Sequence, residues 1–320
     1  MATRVVVTGG AGFIGRAVVG ELLRRGYIVS VVDDLSKEGA APPVGAHFER
    51  IDLTDPERTR VAFTGHDVCI NLAAKIGGIA YFHKFPADIL AENDRIYAAT
   101  FRAAAGLRFR RIVFVSSSMV FEKATSFPSH ERDVWEIAPP LTAYGFSKLA
   151  GEYYCRAFHD QFGLPYTIIR PFNAYGPEEL PGDEVGLAHV IPDLIKKALD
   201  LGDSDEPLEL LGNGEQTRCF THVRDIARGI VAAMESEAAV NEDFNLSTGE
   251  ETRIIELARL IHDLCRPDVP FSVRHVEPLQ HDIQRRVPAV GKAREKLGWQ
   301  AQIALRDGLA EVIAAYRMRR

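Results

Sequence analysis

Tyr144 and Lys148 lie four residues apart in the run Tyr144-Gly-Phe-Ser-Lys148, and their side chains are chemically complementary. On a helix, positions i and i+4 share a face, so the phenol and the ammonium point into one cleft. A free tyrosine has a pKa of about 10 and is a poor base at neutral pH, but a nearby cation favours the phenolate. The spacing therefore predicts a general base for an alcohol proton. Because solvated helix faces show the same spacing, the pair needs support from the rest of the chain.

A glycine-rich turn near the N-terminus gives that support. The run TGGAGFIG lies between a strand-like stretch at 4–8 and an apolar helical pattern at 13–25. Its glycines satisfy both G-x-G-x-x-G and G-x-x-G-x-x-G, through Gly9, Gly10, Gly12 and Gly15. Glycines allow a tight turn and let a pyrophosphate approach the N-terminus of the helix. We therefore predict a dinucleotide-binding loop.

Acidic residues after the next strand-like stretches bear on the choice of dinucleotide. Asp33 follows the stretch Ile28–Val32, about twenty residues after the loop, where a carboxylate is expected to bind the adenosine ribose. A carboxylate there repels a 2′-phosphate, so NAD is favoured over NADP. Asp52, in a third stretch over Ile51–Leu53, either contacts adenine or is a turn residue.

Strands and helices alternate through the first half of the chain. Further β-type runs lie at Val68–Leu72, Ile112–Val115 and Thr167–Arg170, and helical patterns at 87–106 and 143–162 separate them. This alternation predicts an α/β fold with a Rossmann-type, doubly wound parallel sheet.

The regular alternation ends after the last of these strands. Residues 173–186 are rich in Gly, Pro and acidic side chains, which is typical of a smaller part that covers the edge of the sheet. We expect two domains: an NAD-binding domain of residues 1–172 and 219–247, and a smaller substrate-binding domain of residues 173–218 and 248–320.

The composition excludes several classes of function. Among 320 residues, 46% are hydrophobic and 26% charged, and the net charge of −6 gives no basic field for nucleic acid or an anionic membrane. The four cysteines are scattered without metal-type or redox-type spacing, so no metal site is expected. The sequence shows no signal-peptide pattern and no run of eighteen apolar residues, which predicts a cytoplasmic protein.

Together these motifs resemble the extended short-chain dehydrogenase/reductases, and more narrowly their nucleotide-sugar epimerase/dehydratase branch. The resemblance rests on TGGAGFIG, on Ser117 at the end of a strand, and on Tyr144 and Lys148 on the next helix. It covers nearly all of the chain and implies NAD as cofactor, with Ser117, Tyr144 and Lys148 as catalytic residues. It also implies cofactor contacts by Gly9, Gly12, Phe13, Ile14, Gly15, Asp33, Asp52, Leu53, Ala73, Tyr144 and Lys148.

Three later segments resemble the substrate-binding parts of that branch. RPFNAYGP resembles the loop that enters the sugar site and contains Asn173, which contacts the substrate or is a turn residue. LGNGEQTRCFTHVRD resembles the segment whose arginine, here Arg218, meets the nucleotide diphosphate. DIQRRVPAV, which continues to KLGW, resembles the part that adds another phosphate-binding arginine, Arg285 or Arg286.

The resemblance also implies a reaction. Tyr144 removes a proton from a sugar hydroxyl, Ser117 hydrogen-bonds the same oxygen, and a hydride passes to NAD. In a 4-epimerase the resulting keto sugar turns over and takes the hydride back on its other face, so there is no net redox change.

Position 119 separates the members of the branch. Decarboxylases of UDP-glucuronate carry Glu at the matching position, and GDP-mannose 3,5-epimerases and GDP-fucose synthases carry a Cys base, whereas the dehydratases carry an Asp-Glu pair just after the Ser or Thr. This chain reads Ser117-Ser118-Met119, and a thioether has no proton to exchange. We therefore favour epimerisation at carbon 4 of a UDP-hexose-type sugar, with Ser118 and Met119 in contact with the substrate.

Two stretches favour other reactions. Ala73–Leu90 resembles a loop of GDP-fucose synthase, and His189 lies in a segment similar to the one that carries the acid histidine of that enzyme. A GDP-sugar 3,5-epimerase or epimerase-reductase with His189 as acid therefore stays open, as does a 4,6-dehydratase. His189 is otherwise a helix-start residue near the substrate, or a packed one. An NAD-sensing protein without catalysis is the alternative from another class, and retention of the three catalytic residues argues against it.

Two further questions remain open in the sequence. Glu122, Lys123, His130 and Glu131 lie between Ser117 and Tyr144, where one of them could replace the missing base, although solvation at the surface is the simpler interpretation. Helices near 89–105 and 144–161 resemble the pair that forms a four-helix dimer interface in the family. They imply a homodimer, although burial inside one chain would give the same pattern.

Overall fold

A parallel β-sheet lies at the centre of the protein, whose computed structural model describes residues 3–37, 39–76, 84–181, 189–277 and 283–319. In chain order the strands are β1 (Arg4–Thr8), β2 (Ile28–Asp33), β3 (His47–Arg50), β4 (Val68–Asn71), β5 (Arg111–Val115), β6 (Tyr166–Pro171), β7 (Ala174–Tyr175), β8 (Leu208–Leu211), β9 (Thr217–Arg218), β10 (Thr221–His222), β11 (Glu242–Leu246), β12 (Thr252–Arg253), β13 (Val273–Val276) and β14 (Arg285–Arg286). Seven of these strands pair in the order β11-β6-β5-β4-β1-β2-β3, and each neighbouring pair is parallel. The predicted doubly wound parallel sheet is confirmed.

The central strands form because continuous apolar runs must be covered on both faces. All residues of β4 (VCIN) and β5 (RIVFV) are buried, as expected of inner strands in a parallel sheet. The strand order reverses between β1 and β4, and at such a point the carboxyl ends of the strands open a crevice. The loops that come after β1, β4 and β5 therefore meet at one edge.

Helices cover both faces of the sheet. The helices are α1 (Phe13–Arg24), α2 (Pro56–Phe63), α3 (Pro86–Gly106), α4 (Ala143–Phe162), α5 (Val190–Leu201), α6 (Val223–Glu235), α7 (Ile254–Cys265), α8 (Gly291–Leu297) and α9 (Leu305–Arg319). One core cluster packs α1 and α6 on the sheet through Val18, Leu22 and Ile230, and a second packs α2, α3 and α4 on the other face through Phe63, Phe101 and Cys155.

A separate core forms the later part of the chain. There α5, α7 and α9 pack with β8 around residues such as Ile195, Leu257 and Val312. The short strands β9 and β14 pair in parallel, so that two pairs of residues, 217–218 and 285–286, lie side by side. The predicted domain boundaries stay a prediction. Within the described ranges, no helix is both long and apolar enough to span a membrane.

Helix α4 carries Tyr144 and Lys148, and local chemistry explains its bounds. The Thr142 hydroxyl caps its first turn by accepting from the Gly145 N–H at 3.1 Å. Glu122 fixes this cap, because its carboxylate accepts from both the N–H and the hydroxyl of Thr142 at 3.0 and 2.9 Å. Gly163, at φ +68°, ends the helix in the left-handed conformation. The helix predicted at 143–162 is confirmed.

Two sequence expectations about strands need correction. The third strand, expected at Ile51–Leu53, lies at His47–Arg50, and Ile51 comes directly after it with its N–H on the carbonyl of Asp33. The sequence did not predict β11, because its first two residues are Glu242 and Asp243. The predicted segments Ala73–Leu90 and 173–186 include residues 77–83 and 182–186, which lie outside the described residues.

Gly151 allows α4 to lie close to β5, since a Cβ at this position would come within 2.1 Å of Cζ of Phe114. We expect Gly151→Ala to lower the free energy of unfolding by about 1–3 kcal/mol, as overpacking does. Gly20→Ala in α1 is the matched control, because a Cβ there meets nothing within 4 Å. That variant should raise the free energy of unfolding by up to about 1 kcal/mol. Urea unfolding of both variants measures the difference, and equal effects would contradict the explanation.

Candidate active site

Tyr144 and Lys148 lie together on the buried face of α4. The Lys148 Nζ donates to the backbone oxygen of Val115, at the end of β5, at 2.9 Å. It also lies 5.9 Å from the centroid of the Tyr144 ring and over the rings of Tyr97 and Phe114, at 5.9 and 5.4 Å. Ring faces attract a cation, so these aromatic side chains offset part of the solvation that the ammonium loses.

Burial is the largest influence on the protonation of this pair. It raises the pKa of Tyr144 above its usual range and lowers the pKa of Lys148 to about 7. A hydrogen bond with Ser117 and the charge of Arg286 act to lower the pKa of Tyr144. The lowering of the Tyr144 pKa by Lys148, expected from the spacing, stays a prediction. Glu152 acts to raise the pKa of Lys148.

Ser117 begins a short 3₁₀ turn over Ser118–Phe121, directly after β5. Its hydroxyl accepts from the Met119 N–H at 3.2 Å and hydrogen-bonds Tyr144. Met119 is buried against Ile89 and Tyr144. A thioether, which has no proton to exchange, therefore lies next to the phenol.

Arg286 closes the other side of this position. One guanidinium nitrogen donates to the Ser118 hydroxyl at 3.3 Å, and another lies 3.0 Å from the Met119 sulfur. Arg286 itself is buried, and its charge acts on both Tyr144 and His189. Arg286 is thus in the candidate site together with Ser117 and Tyr144.

The pairing of β9 with β14 explains why Arg286, rather than its neighbour, faces the site. Successive side chains in a strand point to opposite faces. On one face, Arg285 and Thr217 both bind Glu251, with Arg285 donating at 2.7 and 2.8 Å. On the other face, Arg218 lies beside Arg286, and both are buried. The substrate contact of Arg285 stays a prediction, and its side chain is half exposed on the face away from Tyr144.

A cavity of about 670 Å³ adjoins this two-strand ribbon. Gln216 and Gln284 line it, and each lies two residues before a buried arginine, which places them on the face of Arg218 and Arg286. Other residues that line the cavity include Gly212, Asn213 and His275. The structure thus joins a polar cavity, two arginines and the Tyr144 phenol along one face.

His189 and Asn173 border the site from the loops after β6. His189 is the N-cap residue of α5 and forms an ion pair with Glu179, whose charge raises the pKa of His189. Asn173 adopts φ +38° and donates to the Cys219 carbonyl at 3.1 Å, so it serves as a turn residue. Substrate contacts by both residues stay predictions.

The glycine loop has the shape that a dinucleotide needs. Gly9 has φ +68°, and a Cβ on Gly15 would lie 2.1 Å from the Gly9 carbonyl oxygen, so a side chain would fill the turn. Gly12 caps α1 without a side-chain bond, which leaves the positive end of the helix to an anion. Asp33 accepts from the Ala11 N–H at 3.0 Å, and burial raises its pKa. The loop and Asp33 therefore fit a bound NAD.

The other predicted cofactor residues of the sheet region lie in or near the loops that follow β1, β3 and β4. Phe13 lies against Gly176, and Ile14 packs against the first core. Ala73 lies just after β4 and donates its N–H to the Thr8 hydroxyl at 3.3 Å. Leu53 is buried in the second core, whereas Asp52 accepts from the Thr54 N–H, a bond that lowers its pKa. Asp52 thus has the geometry of a turn residue, which was one of its two sequence interpretations, and its contact with adenine stays a prediction.

The charged loop before α4 proves mainly structural. Glu131 is buried rather than solvated, which corrects the surface interpretation, and its carboxylate accepts from the Asn245 N–H at 3.0 Å. Glu122 holds the cap of α4 through Thr142. The His130 N–H is bound by Asp133, and Lys123 is exposed.

Sequence reasoning missed Asn93 and Ser147, which fasten α3 to α4. Asn93 is buried, accepts from the Lys75 N–H at 2.6 Å and donates to the Ser147 hydroxyl at 3.0 Å. Ser147 in turn donates to the Tyr144 carbonyl at 2.8 Å. A polar residue within an apolar helical pattern was the available signal for Asn93.

Comparison with known proteins gives consistent matches. The model of the NAD dependent epimerase/dehydratase family matches residues 5–247. The UDP-N-acetyl-alpha-D-glucosaminuronate decarboxylase of Bacillus cytotoxicus is 32% identical over 99% of this chain and 98% of its own. The UDP-glucose 4-epimerase of Thermotoga maritima, solved with UDP-glucose, has a TM-score of 0.87 and 30% identity over 99% of both chains. The dTDP-glucose 4,6-dehydratase of Streptomyces venezuelae, solved with NAD and TYD, has a TM-score of 0.87 and 27% identity over 99% of this chain and 98% of its own.

These matches agree with the geometry of the site. They span nearly the whole chain, share its sheet architecture, and include a relative solved with NAD. The glycine loop and Asp33 supply the place where NAD, the cofactor of this family, fits. The chain therefore belongs to the NAD-dependent epimerase/dehydratase family, the nucleotide-sugar branch of the extended short-chain dehydrogenase/reductases.

Proposed function

We propose that the protein is an NAD-dependent epimerase that inverts carbon 4 of a UDP-hexose-type sugar. The observation that carries the proposal is the burial of Met119 against Tyr144, with Arg286 on its sulfur. Chemistry at carbons 3, 5 or 6 needs a second proton-transfer group near the sugar, and a thioether cannot act as one. Inversion at carbon 4 needs a single base beside the cofactor.

The catalytic residues have complementary roles in this proposal. When bound, NAD supplies the acceptor and donor of the hydride at carbon 4. Tyr144 takes the proton of the sugar hydroxyl at that carbon and later returns it. Ser117, which already hydrogen-bonds the phenol, binds the same sugar oxygen. Lys148, behind the phenol, contributes positive charge that favours the phenolate.

The face that joins Tyr144 to the polar cavity fits an extended nucleotide sugar. The sugar would lie at Ser117 and Tyr144, the diphosphate at Arg218 and Arg286, and the base in the cavity beside Gln216 and Gln284. Arginine binds phosphate oxygens through charge-assisted hydrogen bonds. The sugar must turn over between the two hydride steps, and two buried arginines on separate strands can hold the nucleotide meanwhile. The UDP-glucose bound to the Thermotoga maritima relative supports uracil as the base.

A homodimer through α3 and α4 is part of this proposal. Their outward faces expose apolar side chains, with Leu90 at 38%, Phe146 at 44% and Tyr153 at 58% of full accessibility. Phe146 and Tyr153 lie seven residues apart, so they share one face of α4. A second copy of the same helix pair would cover them.

Decarboxylation of a UDP-uronate is the second candidate, because the Bacillus cytotoxicus relative is a decarboxylase at 32% identity. The two reactions share oxidation at carbon 4 and differ in the fate of the keto sugar. A decarboxylase loses carbon 6 as carbon dioxide and takes a proton from solvent at carbon 5, whereas a 4-epimerase exchanges no carbon-bound proton with water.

The proposal is tested by incubating the purified protein in deuterated water with UDP-glucose, UDP-N-acetylglucosamine, UDP-glucuronate and GDP-mannose. We expect proton NMR to show the 4-epimer of a UDP-sugar, with no deuterium in the ring and no net NADH. Tyr144→Phe should reduce this turnover by at least about 100-fold, because a general base contributes that much or more.

Tyr153→Phe is the matched control on the same helix: it removes only a hydroxyl and keeps the ring that the proposed dimer would cover, so it should retain wild-type turnover. Loss of carbon 6 from UDP-glucuronate with one deuteron gained would establish the decarboxylase instead. Deuterium at carbons 3 and 5 of GDP-mannose would establish a 3,5-epimerase.

The two neighbouring arginines allow a paired test of substrate binding. We expect Arg286→Met to weaken UDP binding about tenfold or more, because it removes a buried charge from the diphosphate. Arg285→Met, on the opposite face, should change it less than about twofold, as expected of an exposed pair with Glu251. Isothermal titration with UDP measures both constants. A larger effect of Arg285→Met would place the diphosphate on the other face of the ribbon.

A further inference from the structure

Glu152 continues the stripe of α4 that carries Tyr144 and Lys148. It lies four residues after Lys148 and eight after Tyr144, so all three share one helix face. Its side chain is fully buried. A carboxylate without access to water is costly unless partners are provided, so its presence behind the candidate site needs a physical explanation.

Arg170 and Ser116 hold the Glu152 carboxylate from two strands. Arg170, on β6, donates through Nε and Nη2 to the two carboxylate oxygens at 2.8 and 2.7 Å. Ser116, at the end of β5, donates its hydroxyl at 2.6 Å. A bidentate pair with a third donor fixes the orientation of the carboxylate as well as its charge.

The charges continue to alternate beyond this pair. Arg170 also contacts Asp243, on β11, at 2.9 Å, and Asp243 accepts from Lys292 at 2.6 Å. From Lys148 outward the order is thus ammonium, carboxylate, guanidinium, carboxylate and ammonium. Lys148 is next to the negative end of the Glu152–Arg170 pair.

We propose that Glu152 is a positioning residue for the Tyr144–Lys148 pair: its fixed, buried carboxylate keeps the Lys148 ammonium protonated, and Arg170 and Ser116 hold it in place for that purpose. This rests on the proposed function, in which charged Lys148 supports the Tyr144 base. Glu152 touches neither substrate nor cofactor in this role and acts through Lys148.

The groups that face Lys148 show why one carboxylate matters. From α3 it meets the Tyr97 ring, and from β5 the Phe114 ring and the Val115 carbonyl; from α4 it meets Tyr144. Arg170 from β6 approaches through Glu152, and Arg286 from β14 acts on Tyr144. Among these described neighbours Glu152 supplies the negative charge.

The direction of the pH effect is set by the charges around Lys148. Burial lowers the pKa of Lys148 to about 7, and Glu152 acts to raise it. Removing the carboxylate leaves the charge of Arg170 facing Lys148, so the pKa of Lys148 falls further. Because the protonated lysine is the active form, turnover declines as pH rises through this pKa. The alkaline limb of the turnover profile therefore moves to lower pH in Glu152→Gln.

The test measures Lys148 directly and through catalysis, on the full-length protein with NAD. The first readout is the titration of lysine side chains labelled with ¹³C at Cε, with the Lys148 signal assigned by its loss in Lys148→Arg. The second is kcat against pH for the sugar that the protein converts. We expect Glu152→Gln to lower both midpoints by about one pH unit or more, the size of effect that a close opposite charge has.

Two further variants separate charge from structural damage. Glu152→Asp keeps the charge and should return the Lys148 midpoint toward the wild-type value. Asp243→Asn removes a partly exposed carboxylate one step further out, so it should fold and lower the midpoint in the same direction by less.

Each outcome decides the proposal. An unchanged Lys148 midpoint in both Glu152→Gln and Asp243→Asn overturns it, even if turnover falls. A lowered midpoint without turnover of any sugar upholds the link between Glu152 and Lys148 and overturns the proposed function instead. If Glu152→Gln does not fold, Asp243→Asn decides between the same two results.

Discussion

A charged amine that is buried in a protein loses solvation worth several kcal/mol, and the fold must supply other groups that replace the lost water. Lys148 imposes this constraint on the centre of the protein. Its replacements come from three elements: ring faces from α3 and β5, a carbonyl at the end of β5, and a carboxylate from α4 itself. The packing of α3 and α4 on the sheet, which Gly151 and Asn93 make possible, is thus also the condition for a charged Lys148.

The substrate side of the site depends on a different constraint, the alternation of side chains in a strand. The ribbon of β9 and β14 is only two residues long on each strand, yet this is enough to place Arg285 on the face opposite to Arg218 and Arg286. Arg218 and Arg286 face the interior, where burial strengthens their interaction with an anion, and Arg285 pairs with Glu251 on the outside. Two residues per strand are therefore enough to place two buried positive charges side by side, although the chain as a whole has a net charge of −6.

Sequence patterns predicted the sheet and the helix of Tyr144 because each depends on local signals. Thr142 and Gly163 mark the ends of α4, and the glycine turn marks the start of α1. The position of β3 was wrong because strand ends depend on pairing with a neighbour, here Ser30–Asp33 with His47–Arg50. The sequence could not predict which of Arg285 and Arg286 faces the site, because that depends on how β14 pairs with β9. The sequence also could not predict that the charge of Arg286 acts on Tyr144, because this depends on the distances between β14, β5 and α4 in the folded chain.

In the proposed reaction, a deeply buried phenol and a deeply buried amine must work together, and the arrangement around them bears on how they can. A positive charge that approaches the pair, as the nicotinamide ring of oxidised NAD would, lowers the pKa of every neighbouring group. For Tyr144 this is favourable, because burial has raised its pKa above the usual range. For Lys148 it is unfavourable, because burial has already lowered its pKa to about 7. In the proposed mechanism the same charge would therefore favour the Tyr144 phenolate and also favour loss of the proton from Lys148. A carboxylate on the far side of Lys148 resolves the conflict, since it acts more strongly on the nearer amine than on the more distant phenol.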